Sequence, residues 1–85
     1  MNPRIEKVTP GKDYNLTLTF TNGEVGLFDM KPYLEIGIFR ELKQWELFAT
    51  VKPFMGTVQW IHEQDLCPDT LYEDCKIVAA ELSPR

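Results

Sequence analysis

The chain has 85 residues, of which 44% are hydrophobic and 26% are charged, and its formal net charge at pH 7 is -4. This composition is too apolar for a disordered tail, and the length predicts a single domain over residues 1–85. The acidic balance argues against direct nucleic-acid binding, and no apolar run is long enough to cross a membrane or to serve as a secretory signal.

The N-terminal third has the pattern of a strand followed by a β-hairpin. Residues 5–8 form a short run that is closed by Pro10 and predicts an edge strand. Apolar and polar residues then alternate over residues 14–20, which is typical of a strand with one buried face. Asn22 and Gly23 follow as the residues of a two-residue hairpin turn.

A two-residue turn fixes which side chains share a face of the hairpin. It pairs Phe20 with Val25 and Leu18 with Leu27, so that their apolar side chains lie on one side. The same register sets Phe28 opposite the buried face. Phe28 must then be covered by a helix, by the C-terminal tail or by another chain.

The middle of the chain predicts short helices that cover the sheet. Asp29 is suited to capping a helical turn, with Pro32 near the start of that turn and Gly37 at its end. Residues 38–49 then carry apolar side chains at helical spacing, and they form either one helix or two short helical turns. The apolar positions are Ile38, Leu42, Trp45 and Phe48 or Ala49.

Residues 51–60 predict a second hairpin around Met55-Gly56. Its pairing places four apolar residues on one face, namely Val51, Pro53, Val58 and Trp60. Pro53 donates no backbone hydrogen bond, so we expect its strand to lie at an edge.

An acidic amphipathic helix is predicted from Pro68, which is a favoured first helical residue. Its acidic residues are Asp69, Glu73 and Asp74, and its apolar residues are Leu71, Tyr72 and Cys75. Residues 77–85 read as a short C-terminal tail that carries Ile77, Val78 and Leu82. The predicted fold is therefore α+β, a small antiparallel sheet built from two hairpins plus an N-terminal strand and covered by short helices.

The order and spacing of these elements resemble the bacterial family of domain of unknown function 2442 over about residues 5–73. The resemblance rests on Phe20-Thr21-Asn22-Gly23-Glu24, Phe28-Asp29, Phe39 with Leu42, Phe48, Trp60, Asp65-Leu66 and Pro68-Asp69-Thr70-Leu71-Tyr72. One departure is visible, because typical members carry Pro and Gly in the turn where this chain has Ile61-His62-Glu63-Gln64.

The resemblance implies a small α+β fold without an established enzymatic activity. Some members carry a helix-turn-helix domain after this one, and others are encoded beside small toxin-like proteins, which implies an antitoxin-like role. We expect this chain to lack the DNA-binding domain. The resemblance thus implies only the partner-binding half of that role.

The residue types suited to chemistry do not form a recognisable constellation. His62, Asp65, Cys67 and Cys75 lack the close cysteine spacing of a zinc site, and a helix between the two thiols would set them roughly 10 Å apart. His62 with Cys67 has no third orienting group, and Asp65 and Asp69 are expected to cap the helix and to favour its dipole. We therefore expect free thiols, as in the cytoplasm, with no metal, no cofactor and no enzymatic activity.

The acidic charge is concentrated at the C-terminal end, where residues 61–85 hold six acidic residues against Lys76 and Arg85. The leading hypothesis is a protein-binding or regulatory module, possibly an antitoxin-like partner of a small basic protein, with self-association as a dimer also expected. The residues expected at the interface are Asp65, Asp69, Glu73 and Asp74 as a charged rim, with Leu71 or Tyr72 as an anchor, and Phe28.

Three alternatives stay open at the level of sequence. The acidic helix face serves only solubility, or the domain is a structural oligomerisation or accessory domain, or it has a small-molecule-binding or enzymatic role. A deep polar pocket around His62 and Asp65 would favour the last of these.

Overall fold

The computed structural model describes residues 2–80, and within that range it contains six strands and four short helical segments. The strands are β1 (Ile5–Pro10), β2 (Asn15–Phe20), β3 (Glu24–Asp29), β4 (Lys52–Phe54), β5 (Thr57–Gln59) and β6 (Lys76–Ala80). The helical segments are the 3₁₀ helices Lys31–Tyr33 and Gly37–Lys43 and the α-helices α1 (Trp45–Phe48) and α2 (Pro68–Asp74). The α+β prediction is confirmed.

Four strands form one antiparallel sheet in the order β1-β2-β3-β6, and β4 pairs with β5 in a separate hairpin. This hairpin lies beside β1, where the Ile5 amide donates to the Gly56 carbonyl at 3.0 Å. The prediction that the first strand lies at an edge is confirmed. None of the helices in residues 2–80 is long and apolar enough to span a membrane.

The C-terminal tail expected from the sequence begins as a strand. β6 pairs with β3 over residues 76–80 and forms the second edge of the main sheet. The sequence prediction missed this strand, because its apolar run is too short to be distinguished from a tail without knowing that β3 has a free side. Leu82 and the other residues after position 80 lie outside the described residues.

The core lies on one face of the four-stranded sheet. Leu16, Leu18 and Phe20 alternate along β2 and are fully buried, as their pattern predicts. The helical segments and the second hairpin cover them with a layer made of Leu34, Leu42, Phe48, Val51, Val58, Trp60, Leu66 and Leu71. Each fully buried large apolar side chain stabilises the fold by about 1.5–3 kcal/mol relative to exposure.

The predicted register of the first hairpin is wrong by one residue. Leu18 pairs with Gly26 and Leu16 pairs with Phe28. The turn contains three residues, because the Gly23 amide donates to the Phe20 carbonyl at 3.0 Å and Gly23 has a φ of 91°. This is the hairpin in which a type I turn is followed by a glycine in the left-handed region.

A shift of one residue moves every side chain of the second strand to the opposite face. Phe28 therefore lies in the core and is 1% exposed, which corrects the expectation that it points away from the buried face. Leu27 lies on the outer face and is 37% exposed. Gly26 takes the position on the core face where the predicted register placed Leu27.

Residues 37–48 form two short helical segments and not one helix, which is the second of the two alternatives that the apolar spacing left open. The Asp29 carboxylate accepts the Lys31 amide at 2.9 Å. The N-cap of this turn is Met30, however, and no side chain of residues 2–80 caps it, so Asp29 does not have the expected capping role. Gly37 does not end the first turn but begins the second one, with a φ of 41°. Ile38 is exposed, so the expected apolar face is shorter than its spacing indicates.

The turn of the second hairpin and the start of helix α2 agree with the prediction. Pro53 pairs with Val58, and Met55 and Gly56 adopt φ values of 48° and 85°, which is the two-residue turn expected there. Pro53 itself is exposed, although it was expected on the apolar face. Helix α2 begins at Pro68, as predicted.

Replacing Gly23 with Val is expected to reduce the free energy of unfolding by about 1 kcal/mol or more, because a β-branched residue resists positive φ. Chemical or thermal denaturation measures this loss. Gly23→Asn is the control, since Asn tolerates the left-handed region, and it is expected to retain most of the stability. Equal midpoints for the wild type and the Val variant would contradict this turn.

Candidate functional site

Helix α2 presents the acidic surface that the sequence predicted. Asp69, Glu73 and Asp74 are all exposed. The Asn2 side-chain amide donates to the carboxylates of both Asp69 and Glu73, at 3.3 and 3.1 Å. Among residues 2–80, no Lys or Arg forms an ion pair with these three carboxylates. Their negative charge is therefore not neutralised within the described part of the chain.

Asp65 does not have the capping role expected for it. The residue before α2 is Cys67, and no side chain of the described range 2–80 caps the helix. Asp65 instead forms an isolated backbone bridge with Gln59, and its side chain is exposed. It therefore extends the acidic surface on the N-terminal side of α2 without stabilising the helix.

The aromatic and aliphatic residues proposed as anchors hold α2 against the sheet. Leu71 is fully buried, so it is not available to a partner. Tyr72 packs edge-on against Phe20 with ring centroids 5.0 Å apart, and its hydroxyl donates to Glu24 at 2.6 Å. This hydrogen bond raises the pKa of Tyr72 and lowers the pKa of Glu24. Phe28, buried in the core, is likewise not an exposed anchor.

Exposed apolar side chains lie instead on β6, which directly follows α2. All five residues of β6 are exposed, with Ile77 at 39% and Val78 at 49%. One edge of β6 pairs with β3, and the other edge pairs with no strand of residues 2–80. The β-branched pair was visible in the sequence as an unexplained apolar segment, but its position at a sheet edge was not.

The two cysteines lie at opposite ends of α2 and form no disulfide. Cys67 is exposed, whereas Cys75 is half-buried and donates to the Tyr72 carbonyl at 3.3 Å. Burial raises the pKa of the Cys75 thiol, which keeps it protonated at neutral pH. Within residues 2–80, no three His, Cys, Asp or Glu side chains are grouped as metal ligands.

A second candidate site lies on the 3₁₀ helix Gly37–Lys43 and the turn after β5. Between these segments is a groove of about 430 Å³, which we call the His62 groove, lined by Gly37, Ile38, Arg40, Glu41, His62 and Gln64. The sequence prediction combined His62 with Asp65. The structure combines it with Glu41 and Gln64 instead, and Asp65 does not line the groove.

Glu41 is the hydrogen-bonding centre of this groove. Its carboxylate oxygen Oε2 contacts His62 Nδ1 at 2.6 Å and accepts a short hydrogen bond from Gln64 Nε2. The hydrogen bond with His62, followed by that from Gln64, lowers the pKa of Glu41. Glu41 therefore stays ionised at neutral pH, and His62 Nδ1 carries the hydrogen of their contact.

Gln64 is a buried polar side chain, and only its amide nitrogen has hydrogen-bond partners among residues 2–80. It is 3% exposed, and its Nε2 also donates to the Ile38 carbonyl at 3.0 Å. Its Oε1 is buried and has no hydrogen-bond partner among residues 2–80. A reversed amide would place Oε1 against a carbonyl and a carboxylate, so the orientation is fixed. A buried acceptor without a donor costs about 1–3 kcal/mol.

The turn that carries His62 contains a strained residue. The Glu63 amide donates to the Trp60 carbonyl at 2.9 Å, and the Trp60 amide donates to the Gln64 carbonyl at 3.0 Å. Glu63 closes this turn with a φ of 70°. Typical members of the resembled family carry a glycine in this turn, and glycine adopts this left-handed conformation without strain.

Comparison with known proteins adds one match. A family model described as protein of unknown function (DUF2442) matches residues 5–76. No curated protein and no solved structure matches the chain. The match covers every element of the fold except most of β6.

Replacing Glu63 with Gly is expected to raise the free energy of unfolding by about 0.5–1 kcal/mol. The left-handed conformation costs a non-glycine residue about 1–2 kcal/mol, and the greater freedom of Gly in the unfolded chain offsets part of the gain. Thermal denaturation measures the change. Glu63→Ala is the matched control, because it removes the same charge but keeps the strain. An equal effect of both variants would contradict a backbone cause.

Proposed function

The chain belongs to the family of proteins of unknown function (DUF2442), and we propose that it is a protein-binding regulatory module whose partner pairs with the free edge of β6. The observation that carries this proposal is the exposure of all five β6 residues at an edge of the main sheet. The proposal places the module in the cytoplasm, in keeping with its two free cysteines.

An edge strand binds an extended segment through its backbone. Strand addition supplies main-chain hydrogen bonds, and side chains that flank the edge supply specificity. Folded proteins normally protect such an edge with charged residues, proline or a covering element. β6 has one charged residue, Lys76, and exposes Ile77 and Val78. These features support a segment with apolar side chains as the bound element.

The charge next to β6 supports a basic partner. Asp69, Glu73 and Asp74 on α2 form no ion pair within residues 2–80, and α2 leads directly into β6. Lys or Arg residues of a partner strand would meet this surface, and the attraction would accelerate association. A small basic protein, for which this chain acts in an antitoxin-like way, fits both features.

The second candidate function is structural oligomerisation through the same edge. Two antiparallel copies of β6 form a continuous sheet across a twofold axis, and such an interface uses the same surface of both subunits. The exposed Ile77 and Val78 favour this alternative as well. The two candidates differ in the role of α2, because its acidic surface repels a second copy and attracts a basic partner.

Capture of proteins from the native host, followed by mass spectrometry, tests the first candidate. We expect the wild type to capture one basic protein. The captured amount is expected to fall about tenfold with Val78→Pro, which disrupts the strand edge, and also with the double variant Asp69→Lys and Glu73→Lys. Binding is also expected to weaken with salt. Glu6→Lys with Glu46→Lys is the control, because it makes the same change in net charge on β1 and α1.

Three outcomes would contradict the basic-partner proposal. One is that no captured protein distinguishes the wild type from both test variants. Another is an equal loss with the charge control, which would indicate a general effect of net charge. The third is binding that does not depend on salt.

Sedimentation velocity over a concentration series tests the second candidate. Self-association through β6 is expected to give a dimer that Val78→Pro converts to a monomer. The variant with Asp69→Lys and Glu73→Lys is expected to dimerise at least as well as the wild type, because the substitutions reduce repulsion between copies. A wild-type monomer at the highest concentration would exclude this candidate and leave the basic partner.

A further inference from the structure

We propose that Asn22 is a site of spontaneous deamidation that the closed turn between β2 and β3 protects, so that the modification accumulates on chains whose hairpin has opened. Asn22 lies in this turn and is exposed to water. The proposal concerns the hairpin itself and does not depend on the protein-binding function.

The first step is the choice of Asn22 among the three asparagines of the sequence. Deamidation begins when the backbone nitrogen of the following residue attacks the side-chain Cγ, so the following residue determines how readily the ring closes. Asn2 precedes Pro3, whose nitrogen carries no hydrogen, and Asn15 precedes Leu16, whose side chain obstructs the approach. Only Asn22 precedes a glycine, which has no Cβ atom in the way.

The reaction needs no enzyme and no co-reactant other than water. The Gly23 nitrogen forms a bond to Cγ of Asn22 and gives up its proton, and the bond from Cγ to Nδ2 breaks, so that the side-chain nitrogen leaves as ammonia. Water then opens the cyclic imide at either of its two carbonyl groups. One opening gives aspartate, and the other gives isoaspartate, in which the main chain runs through the side-chain carbon Cβ.

The second step is protection by the hydrogen bonds of the closed turn. The attacking nitrogen of Gly23 donates to the Phe20 carbonyl at 3.0 Å. Both ends of the Asn22 amide are also held, because its Oδ1 accepts the Glu24 amide at 3.0 Å and its Nδ2 donates to Glu24 Oε1 at 2.7 Å. The ring closes only after these contacts break, so the rate follows the fraction of chains in which the hairpin is open.

The third step is the effect of the product on the fold. Glu24 Oε1 also accepts the Tyr72 hydroxyl at 2.6 Å, so the side chain that holds Asn22 joins the turn to α2. Deamidation replaces the Nδ2 donor by a carboxylate oxygen, which does not donate to Glu24. Isoaspartate adds a main-chain atom to the turn whose length sets the register of the hairpin. Opening therefore permits the reaction, and the product disfavours closing.

Incubation of the full-length chain at neutral pH, either folded in buffer or unfolded in guanidinium chloride, tests the protection. Peptide mass spectrometry measures the mass change at each asparagine, and an isoaspartate methyltransferase assay identifies the product. We expect Asn22 to react at least about tenfold faster in the unfolded chain. Asn2 and Asn15 are the internal controls and are expected to remain amides over the same period in both conditions.

Two variants locate the protection at Glu24. Glu24→Ala releases Nδ2 of Asn22 and is expected to accelerate deamidation of the folded chain by about threefold to tenfold. Tyr72→Phe is the matched control, because it removes the same hydrogen bond between Tyr72 and Glu24 but keeps the contact of Glu24 with Asn22. Its rate is expected to stay closer to that of the wild type.

The effect of the product is measured separately. Chains that have been deamidated in denaturant and returned to buffer are expected to melt at a lower temperature than unreacted chains taken through the same steps, or not to refold.

Four results would each overturn the proposal. Equal rates in folded and unfolded chains would show that the turn gives no protection. Equal rates at Asn22 and Asn15 in the unfolded chain would remove the role of Gly23. Equal rates in the folded Glu24→Ala and Tyr72→Phe variants would place the protection elsewhere. Equal melting temperatures of deamidated and unreacted chains would show that the product does not oppose closing.

Discussion

The turn between β2 and β3 is the constraint on which the rest of the structure depends. Its three residues end in Gly23, which adopts a positive φ, and this sets the register of the whole hairpin. The register buries Phe28 and places Gly26 on the core face opposite Leu18. One residue fewer in the turn would expose Phe28 and put a leucine where Gly26 lies.

The position of Gly26 determines how the C-terminal segment is attached. A Cβ atom at this position would lie 2.6 Å from the sulfur of Cys75, so the end of α2 approaches the sheet only because the residue is glycine. Cys75 in turn leads into β6, which pairs with the same strand. The acidic surface of α2 and the apolar edge of β6 are thereby held next to each other, which supports a single interface formed by both.

The His62 groove arises differently, from two irregular segments that are far apart in sequence. Glu41 lies on a 3₁₀ helix and contacts His62 of the turn, and the buried Gln64 of the same turn donates to Glu41 and to the Ile38 carbonyl. The turn contains Glu63 in the left-handed region, and the amide of Gln64 is only partly satisfied. Strain and an unpaired acceptor in one small region are features that ordinary packing removes.

Local periodicity determined the strands β1 and β2, the second hairpin with its Met55-Gly56 turn, and the helix that begins at Pro68, because these patterns depend on residues close in sequence. The acidic character of α2 was equally visible. The burial of Phe28 and Leu71, the strand formed by Ile77 and Val78, and the contact of His62 with Glu41 were decided by tertiary structure. Each of them depends on a register or a pairing between distant segments, and a shift of one residue in a turn reverses the face of every side chain that follows.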